Sequence, residues 1–599
     1  MGKISKRFKK LKPTKRNVDQ WQRNFLRHIQ KFFISGWDNL RSVRKEVVSW
    51  LLIVCALIVL CLVQAVYLLR ATQTTAPISG GVYSEGVVDR ITTINPLYVT
   101  TNSEVAASSL VFRSLFSYDE TGNLRGVLAR SWSVSDDGKT YNVRLHDNQR
   151  WSDGERFTAD DVVFTFDLIS NPVIASPMRE AWENIEVEKI DNLEIAFTLE
   201  NPHSSFPFML TNGILPKHIL NDKSPEVVRA FMADNMSDIV GTGDFKFVSS
   251  QALANEQTVW NFSSINERHV RIGSFSIRTY ESGEDLINGF SNREVNVAFG
   301  LDIAEIANSQ QSLSNFELRQ VEASSGVFAI FNNSGEITSD RNIREALRFA
   351  IDRERLRYYL ATTIEVGDQK IELLTPKPLE APINSGIFDS VDALKQPEFN
   401  LESASEKLKT AGWELDDENR LIKNDELLEL NIVTVENTDD ERAAKIIAEM
   451  WRNIGVEVNL ISADPITFQL EYLMPRNYDV LVYQIHLGPD PDVSAHWASA
   501  AASETGLNFA NYRNRVSDLF LTNARSETNE IRRTARYTDF VRQWIEDAPA
   551  IALYRPHLNY IVRPEVNSFH QNHRLASSAF RFNGVNEWTV MTGAVNKTP

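Results

Sequence analysis

One uninterrupted apolar run limits what this chain can be. VVSWLLIVCALIVLCLVQAVYLL, residues 47–69, is 23 residues with no charged side chain, long enough as a helix to cross the hydrocarbon of a bilayer. A secretory leader has a shorter apolar core and a small-residue cleavage site. A lipoprotein leader places small residues before its cysteine, whereas Cys61 follows Ile58, Val59 and Leu60. The run therefore reads as an uncleaved transmembrane helix. Residues 1–46 hold 14 Lys/Arg against Asp19, Asp38 and Glu46, so the positive-inside bias keeps this basic segment cytoplasmic and sends the larger part outside, as a single-pass cell-membrane protein. Within that segment Trp21, Phe25, Ile29, Phe32, Phe33, Trp37 and Leu40 recur at helical spacing among Arg23, Arg27, Lys31 and Arg41, a pattern expected of an amphipathic helix on anionic lipid.

The whole chain carries a charge of −16, so the part after residue 46 balances at −27, which argues against a nucleic-acid partner there. The only cysteines, Cys55 and Cys61, lie in the apolar run, and a core of several hundred residues needs no disulfide framework. At 599 residues the chain is expected to form two or three cores.

Beyond residue 69, RATQTTAPIS (70–79) reads as a tether. SWSVSDDGKTYNVRL alternates Trp132 and Val134, then Tyr141, Val143 and Leu145, about Asp137-Gly138, which predicts a hairpin. Its Gly-Lys-Thr imitates a phosphate loop, but Ser133 stands where the first glycine is required. WSDGERFTADDVVFTFDLI (151–169) gathers acids that suggest chemistry. Local rules assign them structural work instead: a turn at Asp153-Gly154, and a helix start where Thr158 and Asp161 form an acidic capping box. From residue 279 on, strands and helices alternate, as in SFSIRTY–EDLINGF–VNVAFGL and LELNIVTV–(439–454)–VEVNLIS–YDVLVYQIHL. Such units build parallel or mixed sheets.

LARSWSVSDDGKTYNVRLHDNQRWSDGERFTADDVVFTFDLISNP resembles the signature of the family-5 extracellular solute-binding proteins, which include the oligopeptide- and dipeptide-binding proteins of ABC importers. INPLY, VFRSLFSYDETGNL, GILPKHIL, GTGDFKF, DRNIREALRFAIDRERL, ASEKLKTAGWEL and YDVLVYQIHLGPDPD follow in family order, and the match runs from about 80 to 570. The resemblance implies an α/β, two-lobed periplasmic-binding-protein-like fold with mixed sheets, here preceded by one transmembrane helix. Lobe I would span 80–279 with a family-specific subdomain at 118–232, lobe II 280–554, and residues 555–599 would return to lobe I. It also implies a receptor without enzymatic activity, cofactor or metal. Such a monomer would close on a peptide or peptide-like solute and pass it to ABC permease and ATPase subunits.

Carried over residue by residue, the resemblance points to Thr100, Asn102 and Glu104 on lobe I and to Gln484, His486 and Leu487 on lobe II as ligand-binding. Peptide binders of the family place an acid three residues before the acid of an Asp/Glu-Pro pair, to hold the peptide's α-amine. Counting back from Asp490-Pro491 gives Leu487, so free-amine recognition loses its expected residue. His570 and His573 are a close pair without a third metal ligand. Two other readings stay open: a sensory or scaffolding protein that kept the binding fold, favoured by the basic N-terminal segment, and a carboxylate-dependent surface hydrolase. Neither a Gly-x-Ser-x-Gly elbow nor His-Glu-x-x-His is present.

Overall fold

The computed structural model describes residues 44–596 apart from 120, 232–238, 254–256, 266–269, 310–312, 385–387 and 569–572, together with Arg23, Asn24, Leu26 and Arg27. The chain forms two compact units, Met1–Ala76 with Gly593–Pro599, and Pro77–Thr592. In the first, one helix runs Arg44–Thr72. Its segment Val48–Ala65 is long and apolar enough to cross a membrane, and none of it is buried against protein. The expected tether is partly ordered: the helix continues to Thr72, and Gln73–Ile78 forms a strand with Met591–Asn596. The amphipathic pattern from Trp21 to Leu40 lies almost wholly outside the described residues, as does His570.

The second unit is built on two large mixed sheets. The first has eight strands, in the order Arg574–Leu575, Glu317–Ala323, His557–Val562, Val297–Phe299, Val82–Val88, Ser274–Tyr280, Thr258–Ser264 and Phe245–Ala252. Val82–Val88 is flanked by parallel neighbours on both sides. The second has six strands, in the order Lys377–Pro378, Ala550–Arg555, Ser325–Phe331, Val480–His486, Glu429–Val435 and Glu457–Ala463. Ser325–Phe331 is buried at every position, as expected of a strand with cores on both faces. One face packs Val327, Ala329 and Phe331 against the Asp439–Arg452 helix through Ala444, Ile447 and Trp451. The other sets Phe328 and Ile330 among Trp497, Tyr537 and Trp544.

The chain passes from the eight-stranded to the six-stranded sheet between Ala323 and Ser325, and returns between Arg555 and His557. This moves the first lobe boundary from the expected 280 to 324. Val297–Phe299 and Glu317–Ala323 pair with His557–Val562, so the strand–helix unit after 279 completes the first lobe rather than opening the second. Polar groups gather at the two crossings: Arg555 Nη1 lies 3.6 Å from Glu322 Oε1, Lys377 Nζ meets Glu322 Oε2 at 2.5 Å, Arg555 Nη1 donates to Asn384 Oδ1 at 2.6 Å, and Arg574 reaches the same oxygen.

A four-stranded sheet, Ala129–Val134, Thr140–Leu145, Glu194–Leu199 and Ile185–Asp191, forms the subdomain with the helix Ala159–Ser170. The predicted hairpin turns at Gly138, with φ of 73°. The acids of 151–169 have structural partners: Asp153 meets His218 at 2.8 Å, Asp160 meets Lys189 at 2.6 Å, and Asp161 Oδ2 accepts the Thr158 amide at 2.9 Å.

Candidate functional site

The parallel ladder between Glu429–Val435 and Val480–His486 stops at Val433 and Leu481, while the ladder of Val480–His486 with Ser325–Phe331 continues to His486. From Val482 onward the strand therefore has one edge without a strand partner among the described residues. That edge lies at the carboxyl ends of the parallel strands, where ligands of α/β sheets bind. Alternation then sorts the side chains. Gln484 and His486 are exposed, on the face that carries Val480 and Val482 farther back, whereas Ile485 and Leu487 turn into the opposite core. A Cβ on Gly326 would lie 2.4 Å from Leu379 and 3.2 Å from Leu487, which places the Leu487 side chain in packed interior. The expectation that Leu487 faces ligand is corrected on that ground: strand pleat, not position relative to Asp490, decides which residue looks outward.

Desolvation by the surrounding protein, followed by the neighbouring His496, holds the His486 imidazole below the usual range. Both rings are thus neutral near pH 7, each able to donate and accept once. Asp490 belongs to a clasp between the lobes. Ser205 Oγ donates to Asp490 Oδ1 at 2.7 Å, and Arg533 Nη2 donates to Ser205 Oγ at 2.8 Å and to Asp490 Oδ1 at 3.4 Å. Beside it the Ser204 amide donates to the Arg525 carbonyl at 2.8 Å, and Arg525 Nε holds Asp492 Oδ2 at 2.6 Å. Ser204 and Ser205 come from the subdomain side and the rest from lobe II, so these bonds tie the two together.

On lobe I, Thr100 and Asn102 are exposed at the start of the Asn102–Val111 helix. Glu104 is 1% exposed, and its carboxylate is already fully engaged. Oε1 accepts from the amide and hydroxyl of Thr92 at 2.9 and 2.6 Å, and Oε2 from the amide and hydroxyl of Thr100 at 2.8 and 3.2 Å and from the Thr101 amide at 3.2 Å. Burial raises its pKa, but these bonds outweigh it and leave the group below the usual range. Glu104 therefore braces the 92–101 loop instead of offering a free oxygen to ligand, a correction to its expected role.

The structure adds acids that sequence reasoning passed over. Asp302 and Glu305 begin the lobe I helix Ile303–Asn308, and Asp439 and Asp440 begin the lobe II helix Asp439–Arg452. The two helix starts meet across the lobes, the Ile303 and Ala304 amides favouring the charged form of Asp439. Burial and the charge of Asp439 push Asp440 up to about 7, against the opposing pull of the Gln484 amide. Burial, Asp439, Glu305 and Asp440 together push Asp302 well above the usual range. In sequence these acids read as ordinary favourable charges on helix N-termini; only the meeting of two such termini makes them unusual. Among the described residues no group of three or more His, Cys, Asp or Glu is placed to hold a metal ion.

Residues 123–505 match the family of bacterial extracellular solute-binding proteins, family 5, over its middle region. The chain belongs to that family. It is 25% identical over 499 residues to the oligopeptide-binding protein AppA of Bacillus subtilis, covering 82% of this chain and 88% of that one. The structure of that AppA in complex with a nonapeptide superposes with a TM-score of 0.61 at 22% identity, over 86% of this chain and all of that one. NikZ from Campylobacter jejuni, solved in complex with Ni(L-His), gives a TM-score of 0.65 at 23% identity, over 85% and 99% of the two chains. These likenesses match the two-lobed mixed α/β fold, and the family is one of solute-binding proteins rather than enzymes.

Proposed function

We propose that this family-5 protein captures peptides or peptide-like solutes outside the cytoplasmic membrane and hands them to the permease and ATPase subunits of an ABC importer. The carrying observation is the strand edge of Val482–His486 left without a strand partner, with the bonds of Ser205 to Asp490 and Arg533 joining the subdomain to lobe II nearby in sequence. An extended peptide backbone is the ligand that a free strand edge pairs with directly, and relatives named as oligopeptide-binding support that choice. Thr100 and Asn102 from lobe I, with Gln484 and His486 from lobe II, are the side chains offered to it. Mixing the purified protein with a defined peptide pool tests the reading. Retention of unaltered peptides with a fall in radius of gyration supports it, and retention of none rejects it.

The helix of residues 47–69 would keep this single-chain receptor on the membrane with its basic N-terminus in the cytoplasm. Protease added to intact cells should release a soluble fragment beginning in residues 70–79. A mature protein that begins after Ala65, or that carries lipid on Cys61, would rule out the anchor.

A further inference from the structure

We infer that the cavity between the subdomain and lobe II is a second recognition site for the solute, taking an aromatic side chain from the part of a bound peptide that lies beyond the open strand edge. The inference rests on the peptide reading and adds to it a side-chain preference toward one end of the ligand.

Three observations carry it. The first is the cavity itself. A space of about 400 Å³ is walled by Trp132, Tyr141 and Phe208 of the subdomain and by Phe388, Pro489 and Pro491 of lobe II. That volume is in the range of small-molecule sites, and rings and apolar groups with a few polar ones are their usual lining. The second is Trp132. It stands on the hairpin strand Ala129–Val134 at 45% exposure, its ring 5.8 Å from that of Tyr141. Tryptophan is highly buried on average, and one left open on a cavity wall offers a large rigid surface that gains by being covered. Tyr141 spends its hydroxyl on the His203 carbonyl at 3.0 Å, so it offers the cavity ring rather than a donor. The third is Arg533. It lines the same cavity, and its Nε is buried without a hydrogen-bond partner. Such a donor calls for an acceptor the protein does not supply, and a peptide carbonyl is one. A guanidinium beside the space also favours an aromatic ring over an aliphatic group.

Position joins the cavity to the peptide site. The open edge ends at His486, and Pro489 stands three residues farther along the chain, so their Cα atoms are at most about 11 Å apart. An extended peptide crosses that gap with three or four residues. Ser204 and Arg533 border the cavity and also take part in the bonds that join the subdomain to lobe II. An occupant therefore touches both sides at once, and its burial adds to the attraction between them.

The test uses the full-length chain in detergent and an equimolar pool of three octapeptides: one of alternating Ala and Ser, and the same sequence with Trp as its first or as its last residue. Bound species are counted by mass spectrometry for wild type, Trp132→Ala and Trp132→Phe, with thermal melts to confirm folding. The expected result is at least roughly tenfold enrichment by wild type of one Trp-ended octapeptide over the Ala/Ser one. It should fall to threefold or less in Trp132→Ala and take an intermediate value in Trp132→Phe, with the Ala/Ser octapeptide held equally by all three proteins. Equal retention of the three peptides by wild type, or enrichment that survives in Trp132→Ala, overturns the site while leaving peptide binding intact. A Trp132→Ala protein that loses the Ala/Ser octapeptide as well marks a structural role and overturns it too. If no octapeptide is retained by wild type the peptide reading fails, and N-acetyltryptophanamide decides the cavity by saturation-transfer NMR. Contacts seen with wild type and lost in Trp132→Ala keep it as an aromatic site, whereas contacts equal in both or absent from both remove it.

Discussion

Removing the Ser205 hydroxyl should unlatch the lobes without damaging either one. Ser205 is fully buried, donates to Asp490 at 2.7 Å and accepts from Arg533 at 2.8 Å. From the subdomain side it touches both members of the lobe II pair. In an open molecule all three groups would be hydrated, so Ser205→Ala acts on the balance between closed and open states. A hydrogen bond to a charged partner contributes about 1.5–3 kcal/mol, roughly a 10- to 150-fold change in that balance. The lower half of that range applies, because Arg533 still reaches Asp490 at 3.4 Å and the Asp492 amide donates to it at 3.1 Å. Calorimetry with the solute recovered from the wild-type protein should show binding about 10- to 40-fold weaker, since affinity scales with the fraction of binding-competent molecules. Small-angle scattering should show a larger radius of gyration at equal saturation, with the unliganded melt nearly unchanged. A folded Ser205→Ala protein that binds within twofold of wild type would refute the clasp.

Other consequences follow from buried charge. The Asp440 carboxyl binds its proton more tightly in the fold, at about 7, than in the unfolded chain, at 3.8. Its contribution to stability is therefore lost as pH rises from about 4 to about 7. Asp440→Asn should flatten that stretch of the stability curve by on the order of 2 kcal/mol, allowing for partial exposure; an unchanged slope in urea titrations counts against the assignment. Arg581 and Glu85, both at 0% exposure and 2.7 Å apart, join the C-terminal segment to the Val82–Val88 strand. Arg581→Met should cost about 3–5 kcal/mol by stranding Glu85, and adding Glu85→Gln should restore part of it; a double variant no better than the single one rejects that cause. Glu104→Gln turns an amide group toward the donors of Thr92, Thr100 and Thr101 and should lower stability by about 1–3 kcal/mol, seen as a lower melting temperature, whereas an unchanged melt would mean the loop is held by other contacts.

Much of the fold is legible in local pattern. The alternation about Asp137-Gly138, the helix start at Thr158 and the strand–helix rhythm after 279 each follow from short-range rules, and each has its counterpart in the structure. What local pattern does not carry is sheet membership. Val297–Phe299 reads as a strand, but its place beside Val82–Val88 depends on pairing with residues some 200 positions away. The first lobe boundary was misplaced for that reason. The site divides the same way. Gln484, His486 and Leu487 are singled out together by resemblance, and only the strand pleat separates the outward Gln484 and His486 from the inward Leu487. Glu104 carries the charge of a ligand contact and spends it on its own loop. Asp302 and Asp440 are invisible as a pair because they lie far apart in sequence, on helices that only the tertiary fold brings together.

The central claim is reversible capture of an unaltered solute by a closing cleft. Native purification of the full-length chain in detergent, followed by denaturation and mass spectrometry of what is released, tests it most directly. The account predicts a peptide or peptide-like molecule near one per chain, which rebinds to the emptied protein, contracts it, and is recovered with its mass unchanged. An emptied protein that converts the released molecule, or that never contracts on re-exposure to it, would contradict the account.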